Sequence, residues 1–160
     1  MTQDPHHGRF VVVPASYVFL LRGTGDDTEV LLQLRQNTGY MDDHWAAAAA
    51  GHVEKGETAY DAAGREALEE IGVTDLDLSF VTAMQRTRGG EPIDERIDFF
   101  FTARSWSGTP RIVEAAKAAD LQWCRLAALP DPVVPHERAV LDGLRSGTTT
   151  AYSTFGFQEQ

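Results

Sequence analysis

The chain has 160 residues and carries 14 lysines and arginines against 24 aspartates and glutamates, a formal charge of −10. That balance offers no basic field to DNA or RNA and excludes polyanionic polymers as partners, whereas small nucleotides, which arrive as magnesium complexes, stay admissible. The length suits one sizeable core, and Cys124, the single cysteine, leaves no internal disulfide and favours a reducing cytoplasm.

Residues 1–9, MTQDPHHGR, have no apolar signal-type segment and read as a flexible polar tail, with His6 and His7 as loose metal ligands at most. Residues 10–22 and 29–35 read as strands around the turn GTGDDTE, a hairpin signal. The first run is broken by Pro14 and too short to cross a bilayer, so no membrane attachment is expected. RQNTGYMDDHW follows, with Asn37, Tyr40 and Trp45 able to hydrogen-bond or stack on a base, although Trp45 is better explained as packing under a loop. Thr58 and Asp61 have capping-box spacing and Gly72 suits a C-terminal cap, which predicts a helix over 58–71. Strand-like runs come near 76–88, 94–104 and 121–126, and a second helix runs from Pro135 to Leu144, stopping near Gly147. Strands before, between and after helices predict the α/β class, a mixed sheet covered by helices, as one domain over 1–160.

The densest chemistry lies in GHVEKGETAYDAAGREALEEIGV, residues 51–73, which gathers Glu54, Glu57, Glu66, Glu69 and Glu70. At about 100° per residue, Glu66, Glu69 and Glu70 share one arc of the helix, and their oxygens can converge on a cation. Tyr60, Gly64, Ala67, Leu68 and Ile71 occupy the neighbouring arc, the expected core face. Glu69 and Glu70 sit in the last turn, against the helix dipole, a placement that costs stability and suggests function. The alternative is a solvated ion-pair face in which Arg65 meets Glu69 at i, i+4, worth about 0.2–0.5 kcal/mol. Charge density alone leaves both readings open.

Spacing separates them. Gly51, Glu57, Arg65, Glu66, Ala67, Glu69, Glu70, Gly72 and Val73 match, in one register, the Nudix box, and the chain resembles MutT-like members of the Nudix hydrolase family. The resemblance implies an α/β/α sandwich and attack of water on a phosphorus of a nucleoside diphosphate derivative, with Mg²⁺, or Mn²⁺ in its place, as cofactor. It makes Glu66 and Glu70 the usual ligands with Glu69 assisting, lets Gly51 bring backbone close to metal or phosphate, and pairs Glu57 with Arg65 to brace loop against helix. The water-activating carboxylate is Glu66 or one of the later acids Glu91, Glu95 and Glu114.

Substrate choice is thinner. Asn37, Tyr40 and Phe155 of the tail YSTFGF are the substrate-binding candidates, Phe155 by analogy with aromatics that close the pocket in some members and otherwise as core or edge packing. The proline of ADP-ribose-selective members and the tyrosine of diadenosine-polyphosphate members are missing at Arg88, Gly89 and Gly90. The proline-rich, aromatic signature of NADH-cleaving members is absent too. Nucleoside triphosphates or some nucleotide sugars remain the default, with ADP-ribose-type pyrophosphatases and a non-catalytic nucleotide sensor as alternatives. An isoprenoid-diphosphate isomerase would need a catalytic cysteine that Cys124 is poorly placed to supply, and a homodimer is compatible with the sequence. One departure stands out: Trp45 is followed by Ala46–Ala50, without the usual proline and one residue longer, which predicts a bulge beside the metal site.

Overall fold

The computed structural model describes residues 4–158, so residues 1–3 of the expected tail lie outside the described residues. Residues 5–8 form a turn on Asp4, which accepts hydrogen bonds from the backbone N–H of His6 (2.8 Å) and Gly8 (2.6 Å).

The first strand organises the rest. β1 (Val13–Arg22) runs parallel to β6 (Arg96–Ala103) from Val13 opposite Arg96 to Leu20 opposite Ala103. On its other side β4 (Ala49–His52) is antiparallel, with Ser16 opposite Gly51. Only Leu21 and Arg22 pair with β2 (Glu29–Arg35), so the expected hairpin exists but splays. β2 lies between β3 (Trp45–Ala47) and β7 (Ala118–Arg125). β5 (Leu78–Arg86) is antiparallel to β6, and β8 (Tyr152–Phe155) adds to it in parallel.

Two helices cover this mixed sheet, α1 (Ala59–Ile71) and α2 (Pro135–Ser146). Because side chains alternate along a strand, β1 feeds two cores. Tyr17, Phe19 and Leu21 join Val140 and Leu141 of α2, while Val18 and Leu20 join Ala63, Ala67 and Ile71 of α1. The architecture is the α/β/α sandwich implied by the resemblance.

α1 begins and ends as its sequence requires. Thr58 Oγ1 accepts from the Asp61 N–H at 3.0 Å, Asp61 returns the bond to the Thr58 N–H, and Gly72 closes the helix in a left-handed conformation with φ 71°. The buried face differs from the expected one. Ala62, Ala63, Ala67 and Ile71 are inside, while Tyr60 and Leu68 are 50% and 53% exposed, because Glu66 and Glu70 share the sheet-facing flank and turn the larger apolar residues outward. Tyr60 still lies over Phe101, ring centroids 4.6 Å apart.

Two strands escaped the sequence reading, β3 and β4, while β8 takes up the edge packing given there as the alternative for Phe155. Alanine has weak strand preference, so Ala46–Ala50 gave no strand signal. The expected bulge is a bend at Ala48, where the chain leaves β2 and continues alongside β1. Ala48, Ala49, Ala63 and Ala67 are all fully buried, and small side chains on both surfaces let α1 approach the sheet closely. A leucine at position 63 would overfill this contact. Ala63→Leu is expected to lower stability by about 1–3 kcal/mol in urea unfolding, and a midpoint unchanged from wild type would show slack between α1 and β4.

Candidate active site

Gly51 and Ala50 of β4 face the carboxylates of α1. A Cβ built on Gly51 would collide with the Glu66 carboxylate, so only glycine lets that side chain lie against the strand. Glu70 Oε2 accepts the Ala50 N–H at 2.6 Å, which leaves its other oxygen for a cation. Burial pushes the Glu70 carboxyl up to about 8, against the pull of that N–H, and also raises Glu66, against the pull of Arg65.

Arg65 knits the flank together. Its Nε and Nη2 donate to the two oxygens of Glu57 at 3.1 and 2.7 Å, and Nη2 also donates to the His52 carbonyl at 3.0 Å. Glu57 in turn accepts the Glu54 N–H at 2.7 Å, which ties the loop after β4 to the helix. These bonds, that from Arg65 foremost, hold Glu57 below the usual carboxylate range. Nη1 of Arg65 reaches Glu66 at 2.7 Å and Glu69 at 3.3 Å. The loop-to-helix brace is therefore present as a bidentate pair.

The three helix carboxylates are held by different partners, Glu66 and Glu69 by Arg65 and Glu70 by Ala50. Among the described residues no three His, Cys, Asp or Glu side chains form a ready metal cage. Glu66 and Glu70 lie together on the sheet-facing flank, whereas Glu69 is solvent-exposed. Hard oxygen donors, partial desolvation and a glycine-wide gap fit a divalent cation held by Glu66 and Glu70.

Of the later acids, Glu114 comes nearest. The segment it sits on is strapped to the end of α1, with the Val113 N–H on the Glu70 carbonyl (3.0 Å) and the Arg111 N–H on the Ile71 carbonyl (3.1 Å). Glu114 shares a small recess with Glu70 and raises the carboxyl pKa of both Glu66 and Glu70. Glu95 accepts from Thr87 Oγ1 at 2.6 Å, and Glu91 caps a single 3-10 turn. Cys124 sits on β7 with its thiol on the Gln122 carbonyl and lines neither the recess nor the cleft.

Beyond Gly51 and His52 opens a cleft of about 420 Å³. Tyr40 lines it, while Asn37 is turned away and donates to the Ala116 carbonyl at 3.1 Å. Phe155 supports the cleft from behind, its ring 6.2 Å from that of His136. The sequence reading missed most of the lining: Arg35, Arg86, Arg88 and Arg96 come from three separate segments, and His136 and Glu137 from the first turn of α2. One signal was visible, since Asp98 interrupts the apolar run of β6 and demands a buried partner. Arg86 supplies it, Nε to Oδ2 at 2.7 Å.

His136 Nε2 lies 3.2 Å from the Tyr17 hydroxyl, and burial, aided by Arg86 and Arg96, keeps the ring well below its usual pKa and so neutral. Glu137 accepts the Ala47 N–H at 2.7 Å, joining α2 to β3.

With this geometry in place, comparison with known proteins is direct. A model of the NUDIX domain matches residues 12–144. An NAD-capped RNA hydrolase, NudC, of Deinococcus radiodurans is 32% identical over 133 residues, which cover 82% of this chain and 44% of that protein. The chain thus spans less than half the length of this relative. Among solved structures, a MutT Nudix hydrolase from Burkholderia pseudomallei superposes with TM-score 0.70 at 22% identity, over 82% of this chain and 97% of that one. The Nudix domain of Shewanella oneidensis NrtR, crystallised with ADP ribose, gives TM-score 0.70 at 16% identity, over 91% and 93%. The chain belongs to the Nudix family, whose hydrolases act on pyrophosphate linkages.

Glu137 provides a test of the buried polar wall. Burial raises its carboxyl from 4.5 to about 7, so the stability tied to its protonated form is present in full below the unfolded value and lost as pH rises through the folded one. Glu137→Gln keeps an acceptor for Ala47 without the titration. The unfolding free energy of the variant minus that of wild type is expected to grow by on the order of 2 kcal/mol between about pH 5 and about pH 8. A difference independent of pH would mean that the carboxyl does not titrate with folding.

Proposed function

We propose that this chain is a pyrophosphohydrolase of small nucleoside diphosphate derivatives, nucleoside triphosphates or nucleotide sugars first, that works with Mg²⁺ or Mn²⁺. The observation that carries this reading is the pair Glu66 and Glu70, desolvated on the inner flank of α1 against Gly51 and Ala50, at the edge of a cleft of nucleotide size. A solvated ion-pair face has no reason to bury carboxylates against a strand backbone.

The residues divide the work. Glu66 and Glu70 present the oxygen ligands, with Glu69 at the solvent side. When bound, the cation would screen the phosphates and ease departure of the leaving phosphate. Arg65, braced by Glu57, keeps the carboxylate flank in place and offsets part of its charge. Glu114, on the strap over the end of α1, is the best-placed later acid to orient or deprotonate the attacking water, and its electrostatic coupling to Glu66 and Glu70 supports that role. Tyr40 offers a ring to stack on the substrate in the cleft.

Retention of every box acid favours an enzyme over a nucleotide sensor. Among the described residues no helix is long and apolar enough to cross a membrane, and the lone Cys124 suits a reducing cytoplasm. The name of the Deinococcus relative adds NAD-capped ends to the compounds worth testing.

Glu70→Gln is expected to lower kcat by on the order of 100-fold or more while leaving the unfolding midpoint near that of wild type, because it removes an anionic ligand but keeps the side-chain shape and an acceptor for the Ala50 N–H. Chelation should abolish turnover and Mg²⁺ or Mn²⁺ restore it. Glu114→Gln should lower kcat more than it changes KM, with Glu95→Gln as the silent control. Canonical and oxidised nucleoside triphosphates, nucleotide sugars, ADP-ribose and dinucleotides, read by product mass, define the substrate. Wild-type turnover in Glu70→Gln would remove the metal assignment.

A further inference from the structure

The cleft beside the carboxylate helix is positively charged in a protein that is strongly negative overall. Four guanidinium groups line it, Arg35, Arg86, Arg88 and Arg96, against the acids Asp94 and Glu137. Asp98, fully buried behind them, takes up part of their charge, and His136 adds none because its ring is neutral. A surplus of cations in a half-enclosed cavity focuses field on whatever enters.

Arg86 is the most telling member. Its side chain is only 5% exposed, yet among the described residues just one of its donors is engaged, Nε on Asp98. Arg86 lines the cleft, and its Nη groups have no acceptor among the described residues. Arg96 repeats the pattern: its Nε is buried without a partner, 3.8 Å from an equally unpartnered Asp98 Oδ1. The buried, unpartnered Arg96 Nε carries a desolvation cost, and the unpaired Arg86 Nη donors present the fork that a planar anion accepting two parallel bonds would fill. At the lip, Arg88 and Arg35 flank the Tyr40 ring, 5.3 and 5.5 Å from its centroid. Arg35 is already spent on its own loop, donating to the Tyr40 carbonyl at 2.9 Å and Thr38 Oγ1 at 3.0 Å. Arg86, Arg96 and Arg88 keep donors for a ligand: among the described residues Arg88 pairs only with Asp94, at 3.8 Å, and Arg96 makes one long bond, Nη1 to the Ile93 carbonyl at 3.4 Å.

A neutral nucleobase does not need this wall, since one arginine satisfies the acceptor edge of guanine. Several converging guanidiniums match a phosphate. Gly51 and His52 line the same cleft, so a pyrophosphate resting on α1 extends its remote end toward the arginines. We propose that Arg86, Arg96 and Arg88 form an anion seat for a second phosphate, carried on the part of the substrate remote from the anhydride that is cleaved. The preferred substrates are then pyrophosphate derivatives phosphorylated at their far end. This deepens the pyrophosphohydrolase reading and rests on it for the position of the scissile bond.

Matched pairs that differ by one phosphate test it: NADP⁺ against NAD⁺, coenzyme A against 3′-dephospho-coenzyme A, and ADP-ribose 2′-phosphate against ADP-ribose. Affinities are measured by calorimetry in EDTA, and kcat/KM with Mg²⁺. The phosphorylated member of at least one pair is expected to bind tenfold or more tightly, with a ratio falling toward one in Arg88→Gln, whose side chain is 49% exposed and does not endanger folding, and in Arg96→Gln. Inorganic phosphate should compete in the wild type and lose that competition in both variants. Ratios near one in every pair, absence of binding by every phosphorylated member, or ratios unchanged in both variants overturn the seat. A preserved binding ratio in EDTA together with no cleavage of any compound would overturn the hydrolase reading and leave the seat standing.

Discussion

Everything functional in this molecule depends on how closely α1 rests on β4. Alanines at 48, 49, 63 and 67 remove the bulk that normally holds a helix off a sheet, and Gly51 removes the last Cβ beneath Glu66. The helix can then settle with two carboxylates turned inward. Their burial disfavours the charged form, as the rise of Glu70 to about 8 reflects, so the inner flank of α1 differs electrostatically from a solvated glutamate face. Larger residues at the same places would return the glutamates to solvent, where they would be an ordinary charged face.

β1 joins this flank to the cleft. Its alternate residues serve opposite layers, so Ser16 donates through Oγ to the Ala59 carbonyl at the start of α1 while Ala15 and Tyr17 line the cleft on the α2 side. One strand thus registers the carboxylate helix against the wall of the cleft. The bend at Ala48 completes the arrangement, because the same short segment leaves β2, passes under α1 and presents Ala50, Gly51 and His52 to both.

The wall itself is built on Asp98. A fully buried aspartate between Ile97 and Phe99 would be untenable alone, and Arg86 at 2.7 Å with Arg96 and His136 near it makes it a hub. Burial raises the Asp98 carboxyl, against the pull of Arg86, and Asp98 in turn outweighs the burial of Arg86 so that the guanidinium keeps its charge. Holding cations at the base of a cleft by a buried anion fixes their direction, which loose surface arginines would not achieve.

What the sequence determined by itself was local. Capping of α1 by Thr58 and Gly72, the order of the longer strands, and the nine box positions all follow from neighbours a few residues apart, where spacing maps directly onto geometry. The brace between Glu57 and Arg65 was legible in the same way, through resemblance of that spacing. The alanine strands were not, since small residues carry little strand preference and gain their conformation from the layers they separate. Nor was the true buried face of α1, because two glutamates took the inner flank that Tyr60 and Leu68 would have filled. Tertiary structure alone brought Glu114 into a recess with Glu70, turned Asn37 onto the Ala116 carbonyl, and gathered arginines from positions 35, 86, 88 and 96 into one cleft. Net charge is a sum over the whole chain, whereas a binding site responds to the few charges that folding brings within a Debye length of one another.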